Sequence, residues 1–381
     1  MKSSSAQLGL AVILAGFAAI SCEVGTAGAG PNPFSDTWVW SSVGWTQQAR
    51  TGPQWREGAA SVFDSANGAW LLFGGQVPED PSGPGGPFTY LNDTWTWDGS
   101  GWNRPIPAVS PPPRSGASAV YDKAMGMVVL FGGTTEVESP DYSHGTSRFA
   151  YDDMWAWNGA SWRQLHPAAS PPSDPFITWQ GAYDPTSRTV IAYANPYQTP
   201  SRDKQGLCTP DTSNGYTCPS QMWSWNGQTW TQLHPKNQLG SGMIYEDVAN
   251  AALMAWGYSE PQSAAGSVYP YPWRWNGVDW VENTAQPLQP DPAPHSMFNP
   301  FAAEVYGTSI GPIFAFGGSD CSRSNTPIST NDTWLYNGDE WQPLASSQRP
   351  PGREETYLMY DSARKEIVLW GGIVARGCPL L

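Results

Sequence analysis

Aromatic residues alternate with small or polar residues in short segments that recur along most of the chain. One copy runs Asp93-Thr94-Trp95-Thr96-Trp97-Asp98-Gly99-Ser100-Gly101-Trp102. Residues two apart on a strand share one face, and Asp-Gly or Asn-Gly favours a tight hairpin turn. The segment therefore predicts a β-hairpin. Five further copies carry the aromatic sets Trp38, Trp40 and Trp45; Trp155, Trp157 and Trp162; Trp223, Trp225 and Trp230; Trp273, Trp275 and Trp280; and Trp334, Tyr336 and Trp341.

A second motif alternates with the first and consists of an apolar run that ends in an aromatic residue and Gly-Gly. Clear copies end at Gly75, Gly133, Gly318 and Gly372, and degenerate ones surround Tyr193 and Trp256. Upstream of each run lies a further strand and turn, typified by Val120-Tyr121-Asp122; in the fourth unit we align Tyr245 with Tyr121. Four short strands per unit and six units predict an all-β, six-bladed β-propeller over residues 34 to 381.

The two ends of the repeated region are each half a unit. The first Trp hairpin, residues 38 to 45, has no Gly-Gly strand before it, and the last Gly-Gly strand, at Gly371-Gly372, has no Trp hairpin after it. Joining them would remove an exposed sheet edge. We therefore expect the N-terminal hairpin to complete the blade that the C-terminal strands begin.

The alternation of the two motifs resembles the kelch repeat, and the resemblance covers nearly all of residues 34 to 381. Residues 112 to 116, with the sequence Pro-Pro-Arg-Ser-Gly, also match the start of a kelch inner strand, and Arg56 and Arg353 stand at the same offset as Arg114. The other three units have Phe176, Gln238 and Asp291 there. Two interpretations stay open: the arginines serve the channel mouth, or they tie strand ends together by hydrogen bonds.

Composition excludes several classes of protein. The chain of 381 residues has a net charge of −14, only 14% charged residues and 13% aromatic residues. The low content of Lys and Arg argues against binding of nucleic acid or anionic membrane through a basic surface. The density of Gly and Pro argues against a helical bundle, and the aromatic content argues against disorder. Seventeen of the 22 tryptophans fall in the repeats, so they are interpreted as core and not as a sugar-stacking platform.

The first 33 residues predict an export address. Lys2 precedes an apolar run from Leu8 to Ile20, which is too short for a permanent membrane span. Residues 1 to 22 end in Ala-Ile-Ser-Cys, which resembles a bacterial lipobox with Cys22 as the lipidated residue. The alternatives are cleavage near Ala29 or a structural role for Cys22. Residues 23 to 33 are typical of a flexible tether. We expect a location in the bacterial cell envelope, or secretion, with membrane contact only through the lipid.

An oxidising compartment allows the other cysteines to form disulfides. Cys208 and Cys218 lie in one predicted loop and are expected to staple it, and Cys321 and Cys378 follow Gly-Gly pairs in successive units. Four cysteines allow three connectivities, and the sequence does not choose among them. A zinc site is the less favoured alternative because no CxxC spacing is present.

Variable loops point to binding at one face of the predicted propeller. In each unit the connection between the second and third strands is long and different, whereas the hairpin turns are short. Loops on a rigid scaffold commonly carry recognition, although they could also merely cover the channel. The expected partner is an unidentified protein or glycan, and the chain is expected to be a monomer. The candidate binding residues are Arg56, Arg114, Arg353, Tyr90, Tyr142, Tyr197, Tyr216 and Tyr269.

Catalytic patterns are weak, so we assign no catalytic residue, metal or cofactor. The Asp of each Asp-x-Trp is interpreted as a cap of a strand turn, and His166 and His234, which occupy equivalent repeat positions, as structural. A copper site like that of the galactose oxidase family would require a Tyr–Cys cross-link and His ligands. A function similar to that of sialic-acid mutarotases would require the three arginines together with Glu57, Glu354 or Glu355. A carbohydrate-active enzyme and a purely structural envelope component remain the two alternatives to a binding or scaffold module.

Overall fold

A computed structural model of the chain describes residues 33–79, 87–138, 146–175, 177–194, 197–199, 208–210, 215–237, 239, 242–247, 252–257, 271–282, 303–308, 310–320, 328–337 and 341–374. These residues form β-strands and turns, and none of them is helical. The predicted signal segment, the tether up to residue 32, Cys22, Cys321 and Cys378 lie outside the described residues.

The strands are numbered in chain order. Those up to residue 138 are β1 (Thr37–Ser41), β2 (Gly44–Ala49), β3 (Ala60–Asp64), β4 (Ala69–Phe73), β5 (Gln76–Pro78), β6 (Phe88–Tyr90), β7 (Thr94–Trp97), β8 (Trp102–Asn103), β9 (Ser115–Asp122) and β10 (Met127–Glu138). The next are β11 (Thr146–Ala150), β12 (Met154–Trp157), β13 (Trp162–Leu165), β14 (Trp179–Asp184), β15 (Thr189–Ala194), β16 (Tyr197–Thr199), β17 (Thr209–Pro210), β18 (Tyr216–Cys218), β19 (Gln221–Trp225), β20 (Trp230–Leu233), β21 (Gly242–Asp247) and β22 (Ala252–Gly257). The last are β23 (Tyr271–Trp275), β24 (Trp280–Glu282), β25 (Ala303–Thr308), β26 (Gly311–Phe316), β27 (Ser319–Asp320), β28 (Ile328–Ser329), β29 (Thr333–Tyr336), β30 (Trp341–Pro343), β31 (Tyr357–Asp361) and β32 (Glu366–Trp370).

Six antiparallel sheets form the blades of a propeller, as predicted. From the axis outward, with strands lettered a to d, they are blade 1 (β3-β4-β7-β8), blade 2 (β9-β10-β12-β13), blade 3 (β14-β15-β19-β20), blade 4 (β21-β22-β23-β24), blade 5 (β25-β26-β29-β30) and blade 6 (β31-β32-β1-β2). Each strand a contacts the strand a of the next blade, and β31 contacts β3, which closes the ring.

Blade 6 confirms the predicted closure by the two ends of the repeated region. Strand β1 pairs with β32 from Thr37 opposite Trp370 to Trp40 opposite Ile367. The N–H of Phe34 also donates to the carbonyl of Gly372 over 2.8 Å. The ring is therefore closed by hydrogen bonds between segments more than 300 residues apart, and β32 is not left as an exposed edge.

The c–d turns form because of the Asp-Gly and Asn-Gly pairs. Gly99, Gly159, Gly227 and Gly277 all have φ between 92° and 94°, which is the left-handed region that favours glycine. The preceding Asp or Asn accepts hydrogen bonds from the two backbone N–H groups that follow the glycine, as Asn158 does from Ala160 and Ser161 at 3.0 and 2.9 Å. The turns are therefore short and alike.

The hydrophobic core lies between the blades, where each blade packs its indoles against the next. Trp162 of blade 2, for example, packs with its ring centroid 5.2 Å from that of Phe73 in blade 1, and Trp230 of blade 3 lies at the same distance from Phe131 of blade 2. Eleven of the seventeen repeat tryptophans are buried, and the other six are half-buried or border the core. The interpretation of these residues as core is confirmed.

A repeated hydrogen bond also crosses three of the interfaces between blades. The indole Nε1 of a strand d tryptophan donates to a threonine hydroxyl on strand c of the preceding blade. The pairs are Trp102 with Thr37 at 2.8 Å, Trp162 with Thr94 at 2.9 Å, and Trp45 with Thr333 at 2.8 Å. Because these groups are buried or half-buried, water does not readily replace either partner.

We expect Thr333→Val to destabilise the propeller by about 1–3 kcal/mol, because the buried Trp45 Nε1 would keep its donor and lose its acceptor. Valine preserves both the shape and the β-propensity of threonine. Urea unfolding measures the effect as a lower midpoint with an unchanged slope. Thr96→Val, at a half-buried threonine of β7, is the control and should change stability by less than about 0.5 kcal/mol. Equal stability of the two variants would contradict the role of the interblade bond.

Candidate functional site

The connections between strands b and c carry extra β-structure in four blades. Strands β5 and β6 pair beyond blade 1, β10 extends beyond blade 2 to pair with β11, β16, β18 and β17 form a small sheet beyond blade 3, and β27 pairs with β28 beyond blade 5. Strands alternate in direction, so b–c connections and d–a crossovers all leave the blades on one side. We call that side the loop face and the opposite side, with the a–b and c–d turns, the turn face.

A disulfide staples the extra sheet of blade 3. Cys208 and Cys218 are bonded, with their Cα atoms 4.1 Å apart, and both side chains are buried. Cys218 pairs with Tyr197 in the β16–β18 ladder. The predicted staple of this loop is therefore confirmed, and the cross-link holds a loop-face insertion in a fixed shape.

Three aromatic residues of blades 1 and 2, the exposed Phe149 and the half-buried Tyr90 and Tyr151, lie on the loop face, and we call them the aromatic cluster. Phe149 is 52% exposed, and its ring meets Tyr151 edge to face with centroids 5.1 Å apart. Arg148 lies beside it and pairs with Glu136 at 3.8 Å. Burial and the charge of Glu136 raise the pKa of Tyr90, which also hydrogen-bonds to the backbone of Glu136. The two insertions thus contact each other.

The remaining predicted tyrosines are distributed over the insertions. Tyr197 lies in β16 and Tyr216 in β18, and they stand near each other because Tyr216 pairs with Thr199. Tyr142 and Tyr269 lie outside the described residues. Tyr90, Tyr197 and Tyr216 are therefore all placed on the loop face.

The three candidate arginines lie inside the blades, which corrects their assignment to a binding face. Arg114 is buried and donates to both carboxylate oxygens of Asp153, at 2.6 and 2.8 Å, and to the carbonyls of Gly132 and Pro112, both at 3.1 Å. The same bonds join Arg56 to Asp93, Gly74 and Gln54, and Arg353 to Asp36, Gly371 and Pro351. Bidentate pairing with a carboxylate fixes each guanidinium in place. These arginines therefore tie strand ends together by hydrogen bonds, which is the second of the two interpretations that the sequence left open.

In blades 1, 2 and 6 the Asp of Asp-x-Trp lies at the centre of this network, which corrects its interpretation as a turn cap. In blade 1, Asp93 also accepts a hydrogen bond from Trp95 Nε1 at 2.7 Å. Burial alone would raise the pKa of Asp93, but the hydrogen bond and the charge of Arg56 outweigh it and hold the pKa below its usual range. In blade 5, burial dominates and raises the pKa of Asp332.

The glutamates that a mutarotase-like site would require have other partners. Glu57 exchanges backbone hydrogen bonds with Gln76, and Glu354 does the same with Ile373, each at 2.9 Å. The side chain of Glu354 is buried. Among the described residues, each of the three buried arginines is paired with an aspartate and not with these glutamates.

Blade 4 differs by one residue from the register that the repeats predicted. In blades 1, 2 and 6 the arginine stands sixteen residues before the strand b residue that pairs with the first tryptophan of the motif. In blade 4 Trp273 pairs with Ala255, so the arginine position is held by Leu239 and not by Gln238. With the same strand pairing, Glu246, and not Tyr245, occupies the channel-lining position of strand a, where the other blades have an aromatic residue. A slip of one residue exchanges the two faces of a strand.

The inner strands enclose a channel cavity of about 340 Å³ that opens between the a–b turns, on the turn face. In five blades the last residue but one of strand a lines this cavity. These residues are Phe63, Tyr121, Tyr183, Glu246 and Tyr360. Burial raises the pKa of Tyr121 and of Tyr183. The sequence signal for this ring is the aromatic residue before the acidic residue at the end of strand a. From the sequence alone, that residue is interpreted only as part of the fold.

One ion pair crosses the mouth of the channel. Lys123, in the a–b turn of blade 2, pairs with Glu246 of blade 4. Its Nζ also lies 5.6 Å from the ring centroid of Tyr183 in blade 3, a distance at which a cation is attracted to an aromatic face. The mouth therefore combines one cation, one carboxylate and phenol groups.

Within the described ranges, no three His, Cys, Asp or Glu side chains lie close enough together to bind a metal ion. The described residues also include no helix of the length and apolarity that a membrane crossing requires.

Comparisons with known proteins find similarity in structure and none in sequence families. No family model and no curated protein matches the chain. Among solved structures, one described as "Structure of YjhT" is 12% identical, covering 83% of this chain and 99% of that one, with a TM-score of 0.43. A protein of unknown function from Dyadobacter fermentans DSM 18053 is 11% identical, covering 91% of this chain and all of that one, with a TM-score of 0.45. Similarities at this level carry no argument about function.

Proposed function

We propose that the chain is a binding or scaffold module that holds a macromolecular partner, protein or glycan, on its loop face. The observation that supports this most strongly is the placement of extra β-structure in four blades on the same side of the ring. The c–d turns on the opposite side are short and nearly identical. A rigid scaffold with all of its variation on one side is typical of recognition proteins.

The chemistry of the loop face suits a contact with a large partner. Phe149 and Arg148 are each about half exposed, and aromatic residues and arginine are enriched in binding interfaces. The Pro-rich crossover into blade 2 adds Ile106 and Val109, which are 93% and 55% exposed. These two side chains add exposed apolar area to the loop face, which a partner could bury.

Further parts of this proposal come from the sequence. The kelch-like motifs suggest a relative of kelch propellers, and the predicted lipobox suggests attachment to the bacterial cell envelope through Cys22.

The channel favours a second candidate, a carbohydrate-active enzyme. Lys123 and Glu246 bring a cation and a carboxylate to a cavity that is large enough for a small substrate and is lined by Tyr121, Tyr183 and Tyr360. A purely structural envelope component, the third possibility, would require neither of these surfaces.

We expect the double variant Arg148→Ala/Phe149→Ala to bind its partner at least about tenfold more weakly than the wild type, because exposed aromatic and Arg residues dominate interface energies. The partner is first captured from envelope extract on the immobilised protein and identified, and its dissociation constant is then measured by calorimetry. Val278→Ala, at a 78% exposed valine in a c–d turn of the turn face, is the matched control and should bind normally. Equal affinity of the double variant, or a loss in the control, would place the partner elsewhere.

A further inference from the structure

Blade 3 lacks the polar network that blades 1, 2 and 6 share. Gln221 pairs with Ala194 and Trp223 with Ala192, so Gln221 holds the position of Asp93 and Asp153. The arginine position of this blade is Phe176 in the sequence, outside the described residues. Blade 3 therefore lacks both the aspartate and the arginine that fill this region in blades 1, 2 and 6.

A second departure follows in the next residue. Met222 holds the position of Thr37, Thr94 and Thr333, whose hydroxyl groups accept the interblade hydrogen bond. The donor that would use it is Trp280 Nε1 of blade 4, and methionine offers it no comparable acceptor.

The buried polar atoms that lack a hydrogen-bond partner in the described part of the chain include both Oε1 and Nε2 of Gln221 and, beside them, Nε1 of Trp280. Gln221 is only 4% exposed and Trp280 is fully buried. Leaving such atoms unpaired costs free energy, which a partner that enters the site recovers.

These atoms line a cavity of about 160 Å³. Tyr193, Met222 and Leu239 form its apolar wall, and the exposed His234 stands at its rim, at the end of β20. A cavity of about 150 Å³ accommodates benzene, so this cavity has room for a six-membered ring whose outer substituents reach the rim. The rim lies beside Pro219, next to the disulfide-bonded sheet, and so belongs to the loop face.

The lining selects the chemistry of the occupant. Gln221 offers one acceptor and one donor side by side, and Trp280 offers a second donor, so hydroxyl groups, which both donate and accept, fit all three. The deep part of the cavity has no charged side chain, and burying an unpaired charge there is costly, so the occupant is neutral.

We propose that this cavity between blades 3 and 4 binds a neutral polyhydroxylated ring, a hexose, through the amide of Gln221 and the indole N–H of Trp280. The site is separate from the aromatic cluster, and it does not depend on the identity of a macromolecular partner. If it holds the terminal sugar of a glycan, it also explains part of the specificity of the loop face.

The test uses the full chain with D-glucose, D-galactose and D-mannose in saturation-transfer NMR. We expect at least one of them to bind, with a dissociation constant on the order of 1 mM, as for a ligand of this size. Glucuronate and glucosamine, a negative and a positive analogue, are expected to bind less tightly. The proposal is overturned if none of the three hexoses shows transfer, which indicates that the cavity holds only water, or if a charged analogue binds best.

Two variants of the cavity separate a ligand role from a structural one. Gln221→Leu keeps the volume but removes both polar atoms, so hexose binding should fall at least tenfold while the melting temperature of the free protein stays equal or rises. Met222→Thr should weaken binding because it gives Trp280 the threonine acceptor that three other interfaces have. Met154→Thr, at the equivalent position of blade 2, is the control and should leave hexose binding unchanged. Normal binding by Gln221→Leu, or a lower melting temperature, would overturn the assignment of Gln221.

Discussion

A protein that lacks residues 34 to 50 is expected not to fold. The segment contains β1 and β2, the two outer strands of blade 6, and its loss leaves β32 as an unpaired edge. It also removes Trp45, which is buried between blades 5 and 6 against Phe314 and Phe316. Finally, it removes Asp36 and so leaves the buried guanidinium of Arg353 without its carboxylate. Because a propeller holds each blade by its two neighbours, we expect the damage to spread beyond blade 6.

Circular dichroism and thermal unfolding measure the outcome, with a chimera as the matched control. Replacing residues 36 to 45 by the sequence of residues 93 to 102, which is of equal length, supplies the same Asp, Thr and Trp positions from blade 1. We expect the chimera to unfold cooperatively and the deletion to show no cooperative transition. A deletion protein that melts at the wild-type temperature would contradict closure of the ring by the N-terminal hairpin.

The number of blades and their closure could be predicted because the signals are local and repeated. Each Trp hairpin has its own alternation and its own Asn-Gly or Asp-Gly turn, so six copies give six independent indications of the same unit. The interpretation of the tryptophans as core followed from their number. The Cys208–Cys218 disulfide was also predictable because the two residues lie in one loop.

The register of blade 4 could not be predicted because its signal is ambiguous by one residue. Tyr245-Glu246 resembles the Tyr-Asp pairs of other blades, yet pairing of β22 with β23 places Glu246 at the aromatic position. Its equivalent, Tyr121, faces the channel, and Glu246 therefore does so too and pairs with Lys123. A contact between blades 2 and 4 depends on the closed ring and has no local sequence signal.

The roles of the arginines likewise required the three-dimensional arrangement. The repeats show Arg56, Arg114 and Arg353 at one offset, but the aspartate that binds each guanidinium is 37 to 39 residues away, or 317 where the ring closes. Sequence distance therefore conceals a pairing that is the same in three blades. For the cavity in blade 3, the signal was present as Gln221 and Met222 in place of Asp and Thr, and it became legible only once the network of the other blades was known.

Loss of a buried arginine should be far more destabilising than loss of an exposed one that faces the same carboxylate. Arg56 is buried and paired bidentately with Asp93, whereas Arg104 is 59% exposed and lies 3.8 Å from the same residue. We expect Arg56→Met to cost about 3–5 kcal/mol, because it leaves a desolvated carboxylate unpaired, and Arg104→Met to cost less than about 1 kcal/mol. Chemical denaturation of both variants measures the difference. Removing the charge as well, in Arg56→Met/Asp93→Asn, should recover part of the loss, because a neutral amide is less costly to bury than an unpaired carboxylate.

The pH dependence of stability tests the same pair in a second way. Loss of Arg56 should reverse the direction in which the pKa of Asp93 is shifted. In the wild type the pKa of Asp93 is lowered, so the pair contributes stability above the ordinary pKa of about 3.9, and that contribution is lost as the pH falls through the lower folded value. In Arg56→Met the burial of Asp93 is opposed only by the Trp95 hydrogen bond and the charge of the exposed Arg104, so we expect its pKa to be raised, as burial raises that of Asp332 in blade 5. The folded variant then takes up its proton more readily than the unfolded chain, and its deficit relative to the wild type should shrink as the pH is lowered from 7 toward about 4. A deficit that is constant over this range would show that Arg56 stabilises the blade by packing alone and not through the charge of its partner.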